Sequence, residues 1–342
     1  MRLGASIGRG DPGTLKKRAR DYEDAGVDVL WVAELYGLDG PSLMGFVAAV
    51  TERVQIGSSI LPFYSRSPAL LAMTAAGVDA LSGGRCILGI GASGPQVIEG
   101  FHGVPFDNPV GRTEEIIEIC RAIWRREPVV HSGRHYQIPL PEGQGLGLGK
   151  PLKMIDHPVR AAIPVFVAAT GPKNVASAAR VADGWIPIFF WPERSGQVWG
   201  DPLAAGLAER DPALGPLEVV ASVTVAVGED REHLRDAARP QLALYIGGMG
   251  ARKMNFYNDL VCRYGLEGPA KQIQDLYLSG QKDEAARAVP AELLEGTTMI
   301  GPPGLVRDRL AAYREAGVTL LNIRPAGPDP LRTIAQVREL LE

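Results

Sequence analysis

Two stretches of this 342-residue chain have residue types and spacing suited to holding a ligand. In Gly83-Gly84-Arg85-Cys86-Ile87-Leu88-Gly89-Ile90-Gly91-Ala92-Ser93-Gly94-Pro95, an apolar run of strand length ends in a loop nearly free of side chains. Cys86, Ile87, Leu88 and Ile90 suit a strand covered on both faces, and Gly89, Gly91, Ala92 and Gly94 remove bulk so that something flat can lie against bare backbone. The stretch lacks the Gly-Lys-Ser/Thr ending of a phosphate-binding P-loop, and Pro95 stands where a dinucleotide fingerprint opens its helix with a third glycine. In the second stretch, Ala169-Thr170-Gly171-Pro172-Lys173-Asn174, a strand-like run turns through glycine into a helix start. Free backbone N–H groups and the positive end of the helix dipole attract an anion there, with Thr170, Lys173 and Asn174 as further donors, so the loop reads as a phosphate site. Each stretch also has a purely structural reading: a tight strand-to-loop turn for the first, a capped helix for the second.

The elements around these loops alternate. Strand-like runs lie near residues 3, 30, 57, 88, 166, 187, 223 and 321, the sixth spanning 183–190. Helical patterns fill the gaps at 12–25, 41–51, 68–81, 112–126, 171–181 and 303–316, and a last one comes at 331–341. Asp11 before Pro12 has the form of an N-cap. Eight strands separated mostly by helices predict a (β/α)8 barrel, which fits the length as one unit over 1–342. Insertions are expected at 128–160, as a hairpin and a mobile loop, and at 229–300, as helical segments. In such a barrel the site is built from the loops at the carboxyl ends of the strands.

Composition narrows the function classes. A net charge of -3 and no Lys/Arg cluster argue against nucleic-acid or anionic-membrane partners. No run reaches the length of a membrane span, and the first residues lack a signal-peptide pattern, so a cytoplasmic location is expected. Cys86, Cys120 and Cys262 are odd in number and far apart, against a disulfide framework or a zinc site. His131 and His135, four apart, have no nearby carboxylates in sequence, so no metal is expected there.

Taken in order, VLWVAE, IGSSILP with RSP, GGRCILGIGASGP, GRTEEIIEICRAIW, PVFVAATGPKNVASAARVADGW and GPPGLVRDRLAAYREAGV resemble the bacterial luciferase-like superfamily. Within it the chain is most similar to coenzyme F420-dependent oxidoreductases of the methylenetetrahydromethanopterin reductase type. The resemblance covers nearly the whole chain, with 128–160 and 191–216 the least diagnostic. It implies a flavin or deazaflavin at the open end of the barrel, its ring beside strands three and four. A non-proline cis peptide is implied at Ser59-Ile60, with Gly91, Ala92, Ser93 and Gly94 flanking the ring edge and the cofactor phosphate on Thr170, Gly171, Pro172, Lys173 and Asn174. The implied activity is hydride transfer between F420 and a small-molecule substrate, with the protein as a reductase. An FMN-dependent monooxygenase on the same barrel, or a flavin-binding protein without turnover, are the alternatives.

The chain departs from the sugar-phosphate dehydrogenase branch, which has an acid followed by His after strand two and a Glu in the strand-four loop. Here those places hold Glu34-Leu35 and Ser93-Gly94-Pro95, which argues against sugar-phosphate oxidation. Glu34 is the first candidate for a proton donor or ring contact, its alternative being an ion-paired carboxylate at a strand end. Tyr64 is the second catalytic candidate. His102 lines the pocket or is merely solvated, Arg66 sets the loop's charge or caps the third helix, and Trp185 is expected in the core. Asn255 to Asn258 reads as a substrate lid or a dimer contact. A homodimer is implied by the resemblance, through helices near strands two and three.

Overall fold

The computed structural model describes residues 1–342. All eight expected strands are present: β1 (Arg2–Ser6), β2 (Val29–Val32), β3 (Gln55–Ser58), β4 (Cys86–Gly91), β5 (Val165–Ala168), β6 (Gly184–Ile186), β7 (Glu218–Val227) and β8 (Leu320–Pro325). Each pairs in parallel with the next, and β8 pairs with β1, closing a (β/α)8 barrel.

The helices α1 (Pro12–Asp24), α2 (Gly40–Val50) and α3 (Pro68–Ser82) begin at side-chain caps, Asp11, Asp39 and Ser67, each with proline in the first turn after it. After β4 come a short α4 (Pro95–Gly100) and α5 (Pro109–Trp124). The helix α6 (Pro172–Val181) comes after β5, and α7 (Pro192–Ala208) after β6. The second insertion holds α8 (His233–Asp236), α9 (Arg239–Ala243), a π-helical turn Leu244–Gly248, α10 (Phe256–Arg263), α11 (Glu267–Leu278), α12 (Lys282–Arg287) and α13 (Ala291–Thr297). The chain closes with α14 (Pro303–Glu315) and α15 (Pro330–Leu341), the latter capped by Asp329.

Three elements differ from the sequence expectation. The sixth strand stops at Ile186 instead of reaching Phe190, because Pro187 brings no N–H to the ladder and Phe189 adopts φ 48°. A short strand, Thr298–Gly301, pairs with Thr224–Val227 beyond the part of β7 that meets β6 and ties the second insertion to the barrel rim. The first insertion contains the expected hairpin, His131–Ser132 with Gln137–Ile138, but its return is fastened: Arg160 donates to the buried Asp79 carboxylate and to the Cys86 carbonyl.

The barrel is filled by Val29, Trp31, Ile87, Phe166, Ile186, Val220 and Leu320, with Ile60 and Ala168 packed onto this cluster. Trp31 dictates its neighbours. A Cβ on Gly4 would stand 2.6 Å from the Trp31 Nε1, and one on Gly57 only 2.3 Å from Cζ3. Gly184 gives the same relief to the Phe166 ring at 2.7 Å. A larger cluster of 70 buried residues lies between barrel and helices.

At the amino ends of the strands, carboxylates lock backbone. Glu23 accepts from the N–H groups of Glu52, Arg53 and Val54. Burial alone would raise its pKa, but these bonds outweigh it and hold the carboxyl below the usual range.

Gly57→Ala is expected to cost about 3 kcal/mol, since overpacking a filled interior forces Trp31 off its rotamer. Denaturant unfolding measures this, and a loss below about 0.5 kcal/mol would show that the interior has slack.

Candidate active site

The carboxyl ends of all eight strands open on one face, where the loops carry the polar and aromatic groups. The wall between β3 and β4 is the most constrained. Ser58 Oγ both donates to the Gly89 carbonyl and accepts its N–H, each at 2.8 Å, and a Cβ on Gly89 would lie 1.8 Å from the Ser58 carbonyl oxygen. Gly89 is therefore glycine for strand contact, not for a ligand. The next peptide, Ser59-Ile60, is cis, as the resemblance implied. Beyond it Leu61–Pro62 resumes pairing with Ile90 and Gly91. A Cβ on Gly91 would meet the Ile60 side chain at 3.0 Å and Ala168 at 3.3 Å, so Ile60, Gly91 and Ala168 form a flat apolar floor over the barrel filling. Ala92 packs against the larger buried cluster, Ser93 is held at φ 60°, and Gly94 faces open space.

Glu34 is buried, and both of its oxygens are engaged. Arg66 Nη1 donates to Oε1 at 2.6 Å and Nη2 to Oε2 at 2.8 Å, while the Gly40 N–H donates to Oε2 at 2.5 Å. Of the two sequence readings, the geometry is that of the ion-paired carboxylate; a group so held is a poor proton donor, and it instead fastens the loop after β2 to that after β3. Tyr64 is likewise committed. Its hydroxyl donates to the Asp107 carbonyl, burial pushes its pKa up to about 12, and Arg112 stacks on its ring 5.6 Å from the centroid. Tyr64, Arg66, Arg112 and Tyr136 line a cleft of about 400 Å³ beside this pair.

Across the mouth, Thr170 and Gly171 lead into α6, with Pro172, Lys173 and Asn174 in its first turn. Gly171 has φ −75° and ψ 148°, which any residue adopts, and a Cβ there would meet nothing within 4 Å. Neither backbone conformation nor packing requires a glycine, so its absent side chain leaves open space at a helix start. Arg263, at the end of α10, was not found from sequence because 93 positions separate it from its contact: Nη2 donates to the Thr170 carbonyl at 2.8 Å. Its Nη1 is buried without a partner, as is Asn174 Oδ1. Desolvation lowers the Arg263 pKa, and the charges of Tyr264 and Asp259 offset it only in part. Lys173 is exposed beside them.

Phe189, Tyr245 and Tyr257 make a second wall, with Phe189–Tyr245 centroids 5.5 Å apart and Tyr245–Tyr257 4.8 Å apart, both edge-on. Within the stretch Asn255 to Asn258, Asn255 is a buried clamp. It caps α10 through Oδ1 and donates through Nδ2 to the Tyr245 and Ile246 carbonyls. Asn258 donates to Ile246 and Ala270. His102 lies edge-on to Phe101 at 5.2 Å, with Nε2 buried and unpartnered. Trp185 is fully buried and donates to the Ala169 carbonyl. In the hairpin, His131 Nε2 faces Glu115 Oε2 at 3.1 Å, an acid 16 residues earlier that local spacing did not reveal.

The sequence profile of the luciferase-like monooxygenase family matches residues 2–320. The chain belongs to that family. It is 41% identical over 92% of its length, and 91% of the other chain, to the Mycobacterium tuberculosis protein named "Putative coenzyme F420-dependent oxidoreductase Rv3520c". It is 28% identical to the 5,10-methylenetetrahydromethanopterin reductase of Archaeoglobus fulgidus, over 91% of this chain and 90% of that one. The solved coenzyme F420-dependent tetrahydromethanopterin reductase of Methanopyrus kandleri superposes with a TM-score of 0.81 at 21% identity, covering 98% of this chain and 96% of that one, a likeness of fold.

Glu34→Gln is expected to destabilise the protein by about 3 kcal/mol by stranding the Arg66 guanidinium. Thermal unfolding of this variant and of the E34Q/R66M pair, which should recover part of the loss, checks it. A fully stable Glu34→Gln protein that has lost only turnover would instead return Glu34 to the role of proton donor.

Proposed function

We propose that this protein is a coenzyme F420-dependent oxidoreductase passing hydride between deazaflavin C5 and a small organic substrate, working as a reductase. The observation that carries the cofactor half is the start of α6: Gly171 leaves space that nothing in the protein fills, beside an unpaired Arg263 Nη1. A phosphate fits this donor set, since it would satisfy both the guanidinium and the free N–H groups of the first helical turn. The choice of F420 over FMN is supported by the name of the 41% identical relative.

In this reading Thr170, Gly171, Pro172, Lys173, Asn174 and Arg263 hold the phosphate. Because Asn174 Oδ1 has no bond to lose, a half-turn of that amide presents Nδ2 to the anion. Ser59, Ile60, Gly91, Ala92 and Ser93 support a flat ring, and Ile60 and Ala168 keep water from its underside. When bound, the deazaflavin supplies a two-electron carrier that gives or accepts hydride at one ring carbon. Glu34 and Arg66 keep the loops around the ring in place, and the aromatic wall of Phe189, Tyr245 and Tyr257 excludes water from the substrate's side.

Fluorescence titration with F420, and separately with FMN, tests the reading. F420 is expected to bind in the micromolar range, and Gly171→Val to weaken it about tenfold or more while leaving the thermal midpoint unchanged. Tight FMN binding without F420 affinity would place the protein with the monooxygenases, and binding of neither would remove the phosphate site.

A homodimer through α2 and α3 belongs to the same proposal. It is supported by the exposed Leu70, Met73 and Leu81, which with Gly77 mark one apolar stripe along α3. Met73→Arg is expected to convert a dimer to a monomer in light scattering with F420 affinity retained. A monomeric parent protein overturns it.

A further inference from the structure

The loop between β5 and α6 is fastened through its acceptors. Ala169 and Thr170 are consecutive, and each carbonyl takes an indole N–H: Trp185 Nε1 donates to Ala169 at 2.9 Å and Trp199 Nε1 to Thr170 at 3.0 Å. The Thr170 oxygen has a second lone pair, and Arg263 Nη2 donates to it at 2.8 Å. The donors of the same loop are left free. Whereas α1, α2, α3 and α15 each begin at a side-chain cap, α6 has none, and the N–H groups of Gly171, Lys173 and Asn174 meet no acceptor in the protein. An anion site needs donors that are both free and fixed, and locking the carbonyls fixes the loop without using up its N–H groups.

Trp199 is central to this arrangement. It comes from α7, is fully buried, and is enclosed by Phe190, stacked at 5.8 Å, and by Trp185 and Tyr264, edge-on at 5.2 and 6.0 Å. Another large aromatic ring could fill this box; what the indole adds is one N–H, and that bond goes to the loop. The peptide joining Thr170 to Gly171 is trans, so holding its C=O toward the indole turns the Gly171 N–H to the opposite side, away from the aromatic cluster. The same carbonyl seats Arg263. Two donors on one oxygen take different lone-pair directions, so the indole leaves the guanidinium one direction of approach and thereby sets where its unpartnered Nη1 lies. Gln197, two residues before Trp199, donates through Nε2 to the Arg263 carbonyl at 3.0 Å, so α7 also holds α10 by its backbone.

We propose that Trp199 is a positioning residue for the cofactor phosphate: through the Thr170 carbonyl it sets the Gly171 N–H and the Arg263 guanidinium in place before the anion arrives. The inference rests on the reading of this loop as the phosphate site of F420. Donors held in advance do not have to be ordered on binding, so losing the indole bond lowers affinity for the phosphate-bearing ligand in particular.

Fluorescence titration with two ligands tests it: F420, and the deazariboflavin that carries the same ring without a phosphate. Two variants remove the N–H. Trp199→Phe keeps an aromatic ring, and replacement of Trp199 by benzothienylalanine puts sulfur in place of the N–H at nearly constant size, so it decides the matter if Trp199→Phe fails to fold in a thermal melt. Each folded variant is expected to bind F420 about fivefold or more weakly than the unmodified protein and the deazariboflavin equally well. Equal losses for both ligands, as a general loosening of the fold would give, or full F420 affinity in the benzothienyl variant overturns the inference while leaving the phosphate reading intact. An unmodified protein that binds the two ligands alike, or neither, removes the phosphate reading and this inference with it.

Discussion

The barrel closes around one side chain. Trp31 occupies so much of the interior that the facing positions of the neighbouring strands, Gly4 and Gly57, must do without side chains, and the Phe166 ring 6.1 Å away imposes the same on Gly184. With the centre filled to this level, Ile60 and Ala168 are left as a level apolar surface at the height where the strands end. The flatness that suits a ring cofactor is thus a product of interior packing. The glycine loop that marks the site in the sequence is mostly occupied with strand contact: Gly89 lets β3 and β4 approach, Gly91 receives Ile60, and Gly94 alone looks onto open space.

The two ends of the barrel treat charge differently. At the amino ends, Glu23, Asp79 and Asp28 each take several donors, including Arg160 for Asp79 and Arg338 for Asp28. These bonds join helices to strands and contribute to stability without facing a ligand. At the carboxyl ends Glu34 and Arg66 are fully paired, but Arg263 has one bonded and one unbonded nitrogen. A half-buried cationic nitrogen without a partner is costly to the free protein.

The fold was legible because β/α alternation depends on local patterns: runs such as Val29 to Val32 and Cys86 to Gly91, and caps such as Asp11 and Ser67 ahead of proline. Where those patterns are broken, the sequence was silent. The helix α7 carries Pro202 and several glycines, and Thr298–Gly301 is too short for any periodicity to show. The loop at Thr170 was legible because glycine, proline and polar donors are consecutive there. Arg263 was not, since it meets its partner only through tertiary folding. Glu34 illustrates the intermediate case: its position after β2 marked it as important, but only the structure shows Arg66, 32 residues away, taking up both oxygens.

The second insertion enters and leaves the barrel between β7 and β8 and is anchored at the rim by the strand Thr298–Gly301. Tyr245 and Tyr257 both come from it, whereas the floor of Ile60, Gly91 and Ala168 comes from the barrel wall. The two halves of the site are therefore encoded in separate parts of the gene. Substitutions between 229 and 300 can reshape the aromatic wall without touching the floor, which sits on an interior packed around Trp31 and its facing glycines.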